Sequence, residues 1–148
     1  MTPVSADFTL AGMSDNERQR PVSPHLGWYR WQLTSLLSIS HRVTGAALIL
    51  GLLLLSLWTL AAGLGPGAYN FMSVVLGSWL GKLVLFGFTL AFFFHLLNGA
   101  RHLCWDLVRG MELPQVYRSG YLVLALTVIF TLAAWFLAYA LRPEIVRL

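Results

Sequence analysis

LVLFGFTLAFFFHLLNGARHLCWD, residues 83–106, is an apolar run that ends in two histidines, an arginine and an aspartate. On a helix His95, Gly99, His102 and Asp106 follow at spacings of four, three and four, so they share one face. Ionisable side chains at membrane depth are costly and turn to the protein interior. Gly99 between the two imidazoles leaves a flat recess where a planar ligand or another helix can touch backbone. The stripe continues through Gly87 and Ala91, so the whole face is small. A polar, flat-bottomed face on a lipid-embedded helix reads as a cofactor wall.

The rest of the chain agrees with a membrane setting. Of 148 residues 57% are hydrophobic and 11% charged, where soluble domains carry about 25% charged residues. Mean hydropathy is +0.70. The expected fold class is an all-α membrane protein with three transmembrane helices over about residues 35–62, 72–107 and 121–141. These form one membrane domain, residues 35–148, preceded by a cytoplasmic tail and interfacial segment, residues 1–34. Pro21 and Pro24 resist helix there, while Trp28, Tyr29 and Trp31 beside Arg30 favour the headgroup layer. GLGPGAYN, residues 63–70, reads as an uncharged turn. Residues 109–120 read as a second connection, with Pro114 as a helix breaker. The third span reads as bundle packing and lipid-facing surface. Cys104 is the lone cysteine, which excludes an internal disulfide or a cysteine-ligated cluster held by this chain; it reads as a packing residue.

The net charge of +4 comes from basic residues scattered around apolar segments, which fits positive-inside topology better than nucleic acid. Arg18, Arg20, Arg30 and Arg42 flank the start, and Arg101, Arg109 and Arg118 surround the second connection. The N-terminus and that connection are therefore expected in the cytoplasm. Residues 1–20 carry Asp7, Asp15 and Glu17 and resemble neither a secretory signal nor a transit peptide. With the Met1 start, this favours a bacterial inner membrane.

A second polar cluster, SISHRVTG (residues 38–45), opens the first span. Ser38 and Arg42 share a face, and His41 and Gly45 an adjacent one. A hydroxyl and a guanidinium at headgroup depth can hold a carbonyl oxygen of a lipophilic ligand. The plainer reading makes Arg42 a topological anchor and has Ser38 bonding its own helix. Equally, His95 can be a polar packing residue, His102 a partner for Asp106, and Arg101 an interface anchor.

Two longer patterns resemble the cytochrome b membrane-anchor subunit of succinate dehydrogenase, respiratory complex II. The first is Arg20, Pro21, Val22, then Leu26, Leu33, Ser38, His41, Arg42 and Thr44. The second is His95, Gly99, Ala100, Arg101, His102, Leu103, Trp105 and Asp106, where Ala100 is smaller than the family's usual aliphatic residue. The resemblance implies a heteromeric helix bundle around haem b, with this chain the larger of two anchors beside a flavoprotein and an iron–sulfur subunit. It implies that His95 is the axial haem ligand, the second axial histidine coming from the smaller anchor. His102, Arg42 and Arg101 become candidates for the haem propionates. Ser38 and Arg42 match ubiquinone-binding positions, with His41 and Asp106 supporting them. Such a chain has no succinate site of its own. The alternatives are a menaquinol:fumarate reductase anchor, a haemless structural anchor and a small transporter subunit. The last is disfavoured because the polar residues gather at one end of two spans.

Overall fold

A computed structural model describes residues 31–141. The expected tail, most of the interfacial segment, the motif residues Arg20, Pro21, Val22 and Leu26, and the tail after Leu141 lie outside the described residues. Four helices follow in order: α1 (Leu33–Leu64), α2 (Pro66–Gly77), α3 (Trp79–Asp106) and α4 (Leu113–Leu141). Three of them, α1, α3 and α4, are long and apolar enough to cross a membrane, at 32, 28 and 29 residues. At ~1.5 Å per residue each exceeds the ~30 Å hydrocarbon core. α2, at 12 residues, extends only about 18 Å and cannot cross.

The helix bounds correct the expected ones in three places. First, the turn after α1 is a single residue, Gly65 at φ +113, a conformation natural to glycine. Pro66 then starts α2 at once, since a first-turn proline forfeits no helical hydrogen bond. Second, the span expected over 72–107 is interrupted, and residues up to Gly77 belong to α2. The break is Ser78, extended at ψ 160, whose hydroxyl accepts from the Gly81 N–H at 3.1 Å and caps α3. A Cβ at Gly81 would fall on the Val75 and Leu76 carbonyls, so the tight bend needs glycine there. Third, α4 begins at Leu113 rather than near Tyr121. Pro114 lies in its first turn and opens the helix instead of breaking it.

Contacts along the helices make α3 the centre of an antiparallel trio. On one side, Gly45 of α1 meets His95 and Gly51 meets Phe88. On the other, Phe93 packs edge-on against Phe130 of α4 at 5.7 Å and Phe86 against Trp135 at 5.5 Å. Trp135 also donates its indole N–H to Thr89 at 3.3 Å. α1 and α4 touch where Gly120 lies under Leu37 and Leu33, and a Cβ there would sit 2.9 Å from the Leu37 side chain. Leu37, Phe94 and Val123 form the small buried core. Most other large apolar side chains are exposed, which in water would be an aggregation liability. In a bilayer that surface meets acyl chains or neighbouring helices.

Candidate functional site

The polar residues meet at the end of the bundle where α1 begins and α3 ends. Gly45 leaves room for α3 to approach, and a Cβ there would stand 3.0 Å from the His95 ring carbon Cε1. In that gap His95 lies flat on His41, with ring centroids 3.9 Å apart and planes within 7°. His41 also sits 5.4 Å from the tilted ring of His102, and His102 meets Trp105 edge-on at 4.9 Å. The recess expected at Gly99 is present, and the His41 ring lies over it, 3.8 Å from where a Cβ would stand.

Hydrogen bonds define the state of His95. Its Nδ1 lies 3.1 Å from the His41 backbone carbonyl and 3.3 Å from the Thr44 hydroxyl oxygen. A carbonyl can only accept, so Nδ1 carries the proton. The Thr44 hydroxyl donates to the carbonyl of Ser40 at 2.8 Å or His41 at 3.0 Å, which leaves its oxygen to accept from the same Nδ1–H. A neutral ring protonated at Nδ1 presents a bare lone pair at Nε2, the form that binds metals. Nearby, the buried His41 Nδ1 has no hydrogen-bond partner, a condition that normally has a reason. Among the described residues no three His, Cys, Asp or Glu side chains converge to hold a metal ion by themselves. An ion bound at His95 would need further ligands from elsewhere.

The other expected residues divide. Ser38, half-buried, and Arg42, exposed, occupy successive turns of α1 beside His41. Asp106 is exposed as the last residue of α3. Arg101 stands apart from this group. It is 7% exposed and bonded to α4, donating from Nε to Ser119 at 2.9 Å and from a terminal nitrogen to the Val116 carbonyl at 2.8 Å. Its other terminal nitrogen reaches Asn98 at 3.4 Å, and the guanidinium lies 4.1 Å from the Trp105 ring centroid. These engagements hold it at the α3–α4 seam rather than beside His102 and Arg42.

Sequence reasoning named three residues whose part is larger than it gave them. His41 is the centre of the ring stack rather than a support, and Thr44 with Gly45 shapes its partner's seat. The three-and-four spacing from His41 to Thr44 and Gly45 was the available signal. Asn98 and Ser119, which hold Arg101, gave none beyond being polar in apolar surroundings.

With this geometry in place, comparison with known proteins is direct. Residues 16–134 match the family described as succinate dehydrogenase/fumarate reductase transmembrane subunit. The chain is 41% identical over 114 residues to the succinate dehydrogenase cytochrome b556 subunit of Paracoccus denitrificans, covering 77% of this chain and 88% of that one. It is 38% identical over 131 residues to the cytochrome b560 subunit of Reclinomonas americana, covering 85% and 91%. To the mitochondrial cytochrome b560 subunit of Sus scrofa it is 44% identical over 115 residues, covering 74% and 66%. The chain belongs to the succinate dehydrogenase/fumarate reductase transmembrane subunit family.

Proposed function

We propose that this chain is the haem b- and quinone-binding membrane anchor of a succinate dehydrogenase, with His95 as one axial ligand of the haem iron. The observation that carries the proposal is the bond from His95 Nδ1–H to the His41 carbonyl, which leaves Nε2 as a free lone pair. The relatives' name, cytochrome b, supports haem as the group, and succinate dehydrogenase in those names supports that enzyme over fumarate reductase. The second axial imidazole would come from the smaller anchor. When bound, the haem supplies a one-electron carrier whose potential follows its axial ligands and surroundings.

The chain's own residues then do the following. Gly45 lets α1 close on α3, and the His41 carbonyl with Thr44 fixes the ring orientation and tautomer of His95. His102 and the exposed Arg42 offer polar atoms to the carboxylates of a bound macrocycle. At the mouth of α1, Ser38 and Arg42 offer a hydroxyl and a cation to a carbonyl oxygen of ubiquinone, holding the headgroup where electrons leave the iron–sulfur subunit. Arg42, Arg101, Arg109 and Arg118 all belong to this end of the bundle, which positive-inside topology assigns to the cytoplasm. The flavoprotein would carry succinate oxidation, and this chain the docking and electron exit. Asp106, exposed beside this end, can orient Arg42 or relay protons.

A reduced-minus-oxidised absorption spectrum of the purified complex tests the axial assignment, comparing wild type with His95→Leu. A six-coordinate haem b spectrum should be lost or shifted to high spin in the variant while the subunits still co-purify. An unchanged spectrum would make the His41–His95 stack a packing contact, which its 3.9 Å geometry also permits. Ser38→Ala and Arg42→Leu should raise the KM for ubiquinone and leave that spectrum in place. Loss of the spectrum without a KM change would reassign both residues to haem retention.

A further inference from the structure

On the side of α3 away from the imidazoles, a groove of about 310 Å³ opens between α3 and α4. At about 100° per residue, Leu97, Ala100 and Cys104 lie opposite His95, Gly99 and His102. The groove is therefore separate from the proposed haem face. Its lower walls are apolar, with Leu97, Leu122 and Leu126 among them, and its upper end carries Arg101, Arg109 and Gln115.

Charge defines the occupant. Arg101 is nine-tenths buried, yet its hydrogen-bond partners are all neutral: Ser119, Asn98 and the Val116 carbonyl. A buried cation without a counter-charge is costly. The described residues contain only two acidic side chains. Asp106 is on the imidazole side of α3, and Glu112, exposed just before α4, accepts from Gln115 at 3.2 Å. Arg109 is exposed and set at the rim by the turn that ends α3, where its N–H bonds the Cys104 carbonyl at 3.1 Å. Trp105, also lining the groove, donates its indole N–H to the Gly110 carbonyl at 3.2 Å, as amphipathic aromatics do at headgroup depth.

We propose that this groove seats an anionic phospholipid, its phosphate group against Arg109 and Arg101 and an acyl chain along Leu97, Leu122 and Leu126. The site depends on the membrane embedding of the chain and not on the haem assignment. Free phosphate would satisfy the cations but leave the apolar walls bare, so the occupant is a lipid.

The test uses the delipidated whole complex in detergent, with phosphatidylglycerol and phosphatidylcholine of matched acyl chains as probes. Retained lipid is counted by native mass spectrometry, and maleimide labelling of Cys104, the chain's lone cysteine and a groove residue, localises it. Phosphatidylglycerol should be retained preferentially and slow the labelling. Arg109→Gln should weaken its retention about fivefold, the worth of one basic residue at an anionic headgroup layer. Ala100→Trp, which fills the groove and leaves both arginines, should abolish the protection of Cys104. The haem spectrum should be unchanged in both variants, which confirms assembly. Equal retention of the two lipids, or no change in either variant, would overturn the proposal. So would displacement of the lipid by millimolar inorganic phosphate, or a chain-to-chain cross-link through Cys104 showing protein in the groove.

Discussion

The two sides of α3 solve one problem, polar groups at membrane depth, in opposite ways. Toward α1, three imidazoles stack and tilt on one another with few hydrogen bonds, and a buried nitrogen of His41 has no partner. Toward α4, a single guanidinium is bonded from all three of its nitrogens. The first side holds unused bonding capacity, which is what a site that receives a ligand must have. The second spends its hydrogen bonds on its own chain and fastens two helices, so that only its uncompensated charge is left for an anion. Perturbing the second should therefore cost assembly, and perturbing the first should cost ligand.

The largest effect is expected from Arg101→Ala. It removes the three hydrogen bonds of Arg101, two of them to α4, leaves Asn98 fully buried with neither amide atom bonded, and opens a void between α3 and α4. At ~1–3 kcal/mol for a buried group left unsatisfied, plus the cavity, the loss is about 3 kcal/mol or more. Little complex should accumulate in membranes, and what is purified should retain the wild-type haem spectrum. Normal accumulation together with a lost spectrum would place Arg101 on the ligand side after all.

Gly45→Val comes next and should do the reverse. Its side chain would meet His95 Cε1, already 3.0 Å from a bare Cβ, and must push the imidazole or part α1 from α3. Overpacking of this kind costs about 1–3 kcal/mol. The complex should assemble at reduced yield, with the haem spectrum weakened or shifted toward high spin and Gly45→Ala intermediate. A wild-type spectrum in Gly45→Val would show that His95 is not held from this side.

Thr44→Val should act more gently. It removes one of two acceptors of the His95 Nδ1–H and keeps the His41 carbonyl. The expected outcome is full assembly and haem content with a shifted midpoint potential, because the outer hydrogen bond sets ligand basicity. A potentiometric titration unchanged from wild type would leave the His41 carbonyl as the only effective partner.

How much of this was legible beforehand depends on what each feature required. The three membrane-crossing helices follow from apolar length, and the small face of His95 and Gly99 from helical spacing. The break at Ser78 was not legible, because residues 72–107 are apolar on both sides of it and nothing in hydropathy separates one long helix from two. Pro114 misled for a related reason: proline marks a helix boundary, but whether it closes one helix or opens the next depends on its place in the turn. Arg101 and His102 are adjacent in sequence and belong to different seams. A basic pair at the end of a span shows that an interface is near, but not which neighbour each member faces. That depends on the packing of α4, whose Ser119 is one small polar residue in a long apolar helix.

The smallest effect lies where the two sides join, at the turn closing α3. The Val108 N–H bonds the Trp105 carbonyl at 2.8 Å and the Arg109 N–H the Cys104 carbonyl at 3.1 Å. That is the paired pattern of a Schellman ending, in which the residue after the cap is left-handed and usually glycine. Here it is Val108 at φ 55, and a β-branched side chain in that region costs about 1–2 kcal/mol. Glycine would relieve the strain but add about 0.5–1 kcal/mol of chain freedom to the unfolded state. The balance favours Val108→Gly by a few tenths to about 1 kcal/mol, read as a higher thermal inactivation midpoint of the purified complex. Because the turn sets Arg109 but neither His95 nor Arg101, the haem spectrum and the yield should both match wild type. A lower midpoint would mean that the exposed valine makes contacts with lipid or a neighbouring subunit worth more than its backbone strain.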